Sequence, residues 1–373
     1  MPRIAPHRRP ILLLLAFFCL FSAGPRPTPA SASEPVRAAF IHVKDARDQG
    51  WTAAHHQGVE AMKRRLGEAV QVESVENVDT PAQAETVLRD LAARDFDIIF
   101  ATSLVHAGAT EKVAREYPGV RFMQCSGRRV GSNLGAYTAR MEQAEYLAGY
   151  AAGLMGFRAA GTVATLPEPE VVRGINAFTL GLLRGLAESG AAHDPSRVND
   201  VLWLDAWSDP PREYSLALDL VGWGRDLVRQ MGDTPESSRA ACSKNVPAVG
   251  RGLDVTVLGA PCALTSTVFN WCRVYEAQVR AVREGIWRPM RHSGGIREGV
   301  VDLAPFGSWV PSAVRGKVLA ERARMLLGED RSFAGPVTDQ AGTVRIPAGR
   351  SASAEELAAM DWFVRGVRCA SFR

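Results

Sequence analysis

The chain is predicted to fold as two α/β lobes, each built on a doubly wound parallel sheet. Three observations point there. Short apolar runs rich in β-branched and aromatic residues alternate with helical patterns from residue 36 onward. That rhythm restarts after a small-residue-rich helix over residues 141–156. A chain of 373 residues, 46% hydrophobic and 23% charged, is long enough for two domains, and no fixed-period repeat or low-complexity tract interrupts it.

The globule begins only after residue 32. Arg3, Arg8 and Arg9 precede the apolar run "ILLLLAFFCLF", and Ala30-Ser31-Ala32 closes the polar stretch that follows. That order predicts a signal peptide over residues 1–32, cleaved after Ala32. The run is too short to span a bilayer as an ordinary helix. Phe17 and Phe18 stand before Cys19 where a lipid-attachment signal has small residues, so the expected product is not lipid-anchored. The whole chain carries a formal charge of +4, and the leader holds four arginines and no acid, which leaves the remainder neutral. A neutral chain lacks the concentrated basic face that nucleic-acid binding requires. Five cysteines remain after cleavage, and an odd number leaves at least one free thiol.

The elements follow in order. "VRAAFIHV" reads as a buried strand and residues 52–66 as a helix; "VQVESVE" is a second strand. In "TPAQAETVLRDLAARD", Thr80 caps a helix whose first position is Pro81. "FDIIFA" is a third strand, residues 105–116 a helix, and "GVRFMQC" a fourth strand. The second lobe reads as strand "AGTVATL", long helix "PEVVRGINAFTLGLLRGLAES" and strand "NDVLWLDAW". "RDLVRQM", helix "SSRAACSK" and "VPAVG" continue it. "ALTSTVFN" leads into a helix over 271–284, and the tail carries the hairpin "GPVTDQAGTVRIPAG" and a helix from Ala354. Lobe 1 is expected to comprise residues 33–140 and about 265–310, and lobe 2 residues 141–264 and about 311–373.

Ligands of open parallel sheets bind beyond the carboxyl ends of the strands. The loops there are "DARDQGW", "TSLVH", "CSGRR", "LPEPE", "AWSDP", "MGDTP" and "GRGLD". They offer indoles, hydroxyls and carboxylates, a set suited to a flat hydrogen-bonding solute. No GxSxG elbow, HExxH, P-loop or GxGxxG is present. Glu168, Glu170 and Asp209 sit near strand ends, where acids commonly serve helix first turns. His55 and His56 are adjacent and diverge on a helix, so they cannot share a metal. Trp51, immediately before a helix, is the leading ligand-wall residue, with His55 one turn on as a second contact.

The chain resembles the basic membrane protein (Bmp) family of ABC-transporter substrate-binding proteins, which includes purine-nucleoside receptors. "GWTAAHHQG", "PEPEVVRGINAFTLG", "LTSTVFNW", "VDLAPFG", "FAGPVTDQAGTVRIPAG" and "MDWFVRGV" carry the resemblance in the family's order across nearly the whole chain after the leader. The resemblance implies a type I periplasmic binding protein fold: two Rossmann-like lobes with three crossings around a ligand cleft. It implies a periplasmic component of an ABC importer that binds a purine base or nucleoside, partnered by permease and ATPase subunits, without catalysis, cofactor or metal. Other functions that fit are a periplasmic ligand sensor signalling to a receptor and an importer component for a non-purine solute. Carried over by position, the ligand contacts are Trp51, Ser103, Glu170, Asn176, Trp207 and Asp233, followed by Asp254 and Asn270. Two departures fall near the expected cleft: Ser208 replaces an aromatic in "WSDP", and Gly252 stands where relatives carry an acid. An acid there would accept hydrogen bonds from a ribose, so glycine favours the free base.

Overall fold

The computed structural model describes residues 34–369, together with Met1 and Pro2. The expected leader and its cleavage site lie outside the described residues. No helix among the described residues is long and apolar enough to cross a membrane.

The first lobe opens with β1 (Val36–Ile41), α1 (Trp51–Leu66), β2 (Val70–Val75), α2 (Pro81–Ala93), β3 (Ile98–Ala101), α3 (Ala107–Glu116), β4 (Arg121–Cys125) and β5 (Leu134–Ala139). The chain then crosses into α4 (Met141–Leu154), β6 (Ala160–Ala164), α5 (Pro169–Ser189), β7 (Arg197–Trp203), α6 (Pro210–Gly222), β8 (Leu227–Gln230), α7 (Glu236–Ser243), β9 (Ala248–Gly252) and β10 (Ala263–Phe269). It returns for α8 (Cys272–Arg283) and β11 (Arg291–Gly294), and crosses a third time into β12 (Val301–Leu303) and α9 (Ser312–Leu326). β13 (Val337–Thr338), β14 (Val344–Ile346), α10 (Ala354–Ala358) and β15 (Gly366–Cys369) complete it.

The first sheet runs β11-β5-β4-β3-β1-β2, parallel throughout. The second runs β12-β10-β9-β8-β6-β7-β15, with only the β10–β12 pair antiparallel. Two such sheets joined by three crossings are the architecture the resemblance implies. The segment 265–310, expected in lobe 1, is divided: β10 and β12 pair within the second sheet, while α8 packs on α1 and β11 pairs with β5. Helix α6 was not read from the sequence; Asp209 caps it through Arg212 N at 3.1 Å, with prolines at its first two positions.

Local chemistry explains the elements. Thr80 and Gln83 form a reciprocal capping box on α2, as the Thr-Pro start predicts. In the core of the first lobe Phe40 stacks on Phe100 at 4.6 Å. α4 is buried along almost its whole length because glycines let α5 approach it closely. A Cβ on Gly149 would stand 2.0 Å from Phe178 O, and one on Gly181 2.1 Å from Tyr146 O. The three crossings lie side by side: Arg140 N donates to Gly294 O, and Asn270 N to Val300 O, each at 2.7 Å. A disulfide joins Cys242, at the end of α7, to Cys262, just before β10. Cys125, Cys272 and Cys369 are free.

Candidate functional site

The carboxyl ends of both sheets face one cleft, and its inner end is aromatic. Trp51 is the first residue of α1, and its indole N–H donates to Thr102 O at 2.9 Å, which fixes the ring. Phe269, the last residue of β10, stacks on Trp271 at 4.9 Å. Trp51 stands edge-on to both, at 5.4 and 5.9 Å. Ser126, Thr138, Met141, Glu170, Arg173 and Arg251 complete this inner compartment. The inner compartment encloses only about 20 Å³ of free space, and it opens, past the shared Ser126, Thr138, Glu170 and Arg173, onto an outer compartment of about 310 Å³. Arg128, Arg291 and Ser293 of the first lobe line it opposite Glu168, Glu355 and Leu357 of the second.

Charges in the inner compartment are held from behind. Arg251 donates to the buried Glu145 at 3.2 Å, and Glu145 also takes Arg229 at 2.9 Å. Arg173 donates to Glu142 at 3.0 Å and to Leu357 O at 2.9 Å. Paired buried carboxylates of this kind keep a guanidinium in place. Ser126 Oγ reaches Glu170 Oε2 across the lobes at 3.5 Å.

The lobes meet beside this cleft. Arg239 of α7 donates to Gln49 Oε1 at 2.7 Å. Gly50 sits so close to the Asp233 backbone that a Cβ there would lie 1.5 Å from Asp233 O. Only glycine fits. Burial pushes the Asp233 carboxyl up to about 8; Arg251 opposes the rise, and Glu213 and Asp48 add to it. Glu213, buried behind it and accepting from Thr234 Oγ1 at 2.8 Å, is raised to about 7 by burial.

Of the residues expected from sequence, Trp51 and Glu170 line the cavity. Asp233 lies at the lobe contact against Gly50, while Trp207, whose carbonyl accepts from Asp233 N at 3.3 Å, is an exposed residue of the second lobe outside the lining of the cavity. His55 is a correction. It is wholly buried, stacked on Trp271 at 4.6 Å and bonded through Nδ1 to the Tyr275 hydroxyl, so it supports the aromatic wall from beneath. Burial holds its pKa well below the usual value, which keeps the ring neutral. Asn176 is a second correction: it is buried and clamps the tail, donating to Trp362 O at 2.7 Å and accepting from Val364 N at 3.0 Å. Ser103 and Asp254 cap short 3-10 turns through Val105 N and Thr256 N. Asn270 is an exposed residue of the second crossing.

The sequence reading missed Phe269, Arg173 and Arg251 as wall residues; it ranked Trp271 with Trp207 as a ligand-facing indole behind Trp51, and Trp271 does line the inner compartment. Signals for them were present. Arg173 follows Glu170 by three residues on one helix, so both face the same way. Phe269 and Trp271 flank Asn270 in "VFNW", at the end of a strand that points into the cleft.

Residues 36–325 match the family described as "ABC transporter substrate-binding protein PnrA-like" within Bmp. The chain is 32% identical over 339 residues to a purine-binding protein of Brucella abortus, covering 91% of this chain and 94% of that one. It is also 32% identical over 306 residues to a putative ABC transporter glucose-binding protein of Haloferax volcanii, covering 82% and 76%. Among solved structures it is similar to an ABC-transporter solute-binding protein of Conexibacter woesei, with TM-score 0.64, 23% identity and coverage of 79% and 98%. A solute-binding protein of Aeropyrum pernix superposes with TM-score 0.67, 16% identity and coverage of 81% and 94%.

Proposed function

The chain belongs to the PnrA-like family of ABC-transporter substrate-binding proteins, and on that premise we propose that it captures a purine base in the periplasm and presents it to an ABC permease with its ATPase. The family's role is capture for transport, not turnover. The observation that carries the purine reading is the aromatic end of the cleft, where Trp51 and Phe269, the latter backed by Trp271, meet the polar groups shared by the two compartments. Flat heterocycles gain about 1–3 kcal/mol per base by stacking on such rings. Directed hydrogen bonds then set identity. The name of the Brucella relative supports the same ligand class.

Two further observations bear on compartment and ligand size. The Cys242–Cys262 disulfide suits an oxidising compartment outside the cytoplasm. At Gly252 the backbone has φ +84, and a Cβ there would meet only Gly50 O, at 4.0 Å; glycine supplies no side-chain acceptor for a ribose at this position. This supports the free base over its nucleoside. A sugar is the second reading, favoured by the name of the Haloferax relative. Mass spectrometry of small molecules extracted from the purified protein separates the two. A co-purified purine supports the proposal; a co-purified hexose without any purine refutes it.

A further inference from the structure

Resting on the purine reading, we infer that the cleft selects guanine-type purines, with a 6-oxo and a 2-amino group, over adenine. The inner compartment holds one carboxylate and two guanidinium groups, from Glu170, Arg173 and Arg251. Glu170 is half-buried, and the hydrogen bond its carboxylate makes among the described residues is with Ser126 Oγ at 3.5 Å, too long to occupy the carboxylate. An ionised carboxylate only accepts, and its two oxygens are satisfied together by two adjacent donors. Guanine presents N1–H and N2–H side by side. Adenine places a lone pair of N1 or N7 beside each N6–H, so one carboxylate oxygen would face a lone pair.

The guanidinium groups discriminate in the same direction. Arg251 uses one terminal nitrogen on Glu145, and its other donors make no hydrogen bond among the described residues. The group lies 5.9 Å from the centre of the Phe269 ring, at the edge of the aromatic wall. Arg173 commits Nε to Glu142 and Nη1 to Leu357 O, which leaves Nη2. A guanidinium only donates, and it pairs with the O6 and N7 acceptors of guanine. Adenine presents its N6 amino donor on that edge and turns it against a donor. O6 of guanine lies between the N1–H and N7 edges, so a carboxylate and a guanidinium in one small compartment read neighbouring edges of one base. Ser126 and Thr138 can donate or accept and do not discriminate.

Equilibrium dialysis with radiolabelled guanine, hypoxanthine and adenine tests this on the mature protein and on Glu170→Gln. The wild type should bind guanine at least tenfold more tightly than adenine, with hypoxanthine between them because it lacks the 2-amino donor. Glu170→Gln should lose most of that advantage, since an amide offers the donor–acceptor pair that adenine matches. A thermal melt confirms that the variant is folded. Adenine binding as tightly as guanine in the wild type would overturn the inference and leave the purine reading standing. An unchanged guanine preference in folded Glu170→Gln would overturn the role of Glu170. Absence of binding by all three bases would overturn both this inference and the purine reading.

Discussion

Trp51 and Trp271 stand 5.9 Å apart yet have opposite dependencies on the core. Trp51 is half-buried at a helix start, whereas Trp271 is 1% exposed and packed between His55 and Phe269. Trp51→Ala should therefore weaken ligand binding tenfold or more, about 1–3 kcal/mol, with a small change in Tm. Trp271→Ala should cost about 3–5 kcal/mol of stability. Calorimetry and melting on both variants check the pair. Asp233 gives a pH dependence whose sign follows from its raised pKa. The folded protein binds the proton more tightly than the unfolded chain, so stability falls as pH rises from the ordinary aspartate range through about 8. The Tm of Asp233→Asn should gain on that of the wild type between pH 5 and pH 9. A constant difference would place Asp233 in solvent. At this scale Trp51 and Glu170 were legible because a helix start beyond a strand end is a defined place. His55 and Asn176 were not, because sequence position alone does not tell which side of a helix faces the cleft and which faces a neighbour.

The elements depend on close approaches that single residues permit. Gly149 on α4 and Gly181 on α5 let two buried helices touch backbone to backbone. Gly149→Ala should lower stability by about 1–3 kcal/mol or more through overpacking, while the protein that still folds keeps its affinity. Chemical denaturation followed by a binding assay on the native state measures both. The first four strands and the capped helix α2 were readable from apolar runs and cap chemistry. Helix α6 was overlooked although its Asp209 cap, leading prolines and buried Leu216, Ala217 and Leu220 are as clear as the signals of α2. Strand β5 (LGAYTA), rich in small residues, is defined by its pairing with β4. β11 and β12 are short, and pairing with β5 and β10 defines them more than their own composition does.

At the scale of the molecule, two lobes with three crossings followed from the restart of the strand–helix rhythm and from the family resemblance. The positions of the second and third crossings did not. Strand order in a sheet is decided by long-range pairing, and nothing local in residues 263–303 says that β10 and β12 pair with each other around an excursion to the other lobe. The two-compartment cleft is a product of that topology. α10 of the tail reaches its rim, and Arg173 ties the tail there through Leu357 O. The proposed function has the two lobes hold a purine against the aromatic end of the cleft. Its most direct test is a calorimetric titration of the mature protein with purine bases, their nucleosides and glucose, repeated on Trp51→Ala. Saturable one-site binding of a purine base is expected at micromolar Kd or tighter, about −8 kcal/mol, weakened at least tenfold by the substitution. Saturable binding of glucose with no response to any purine would contradict it.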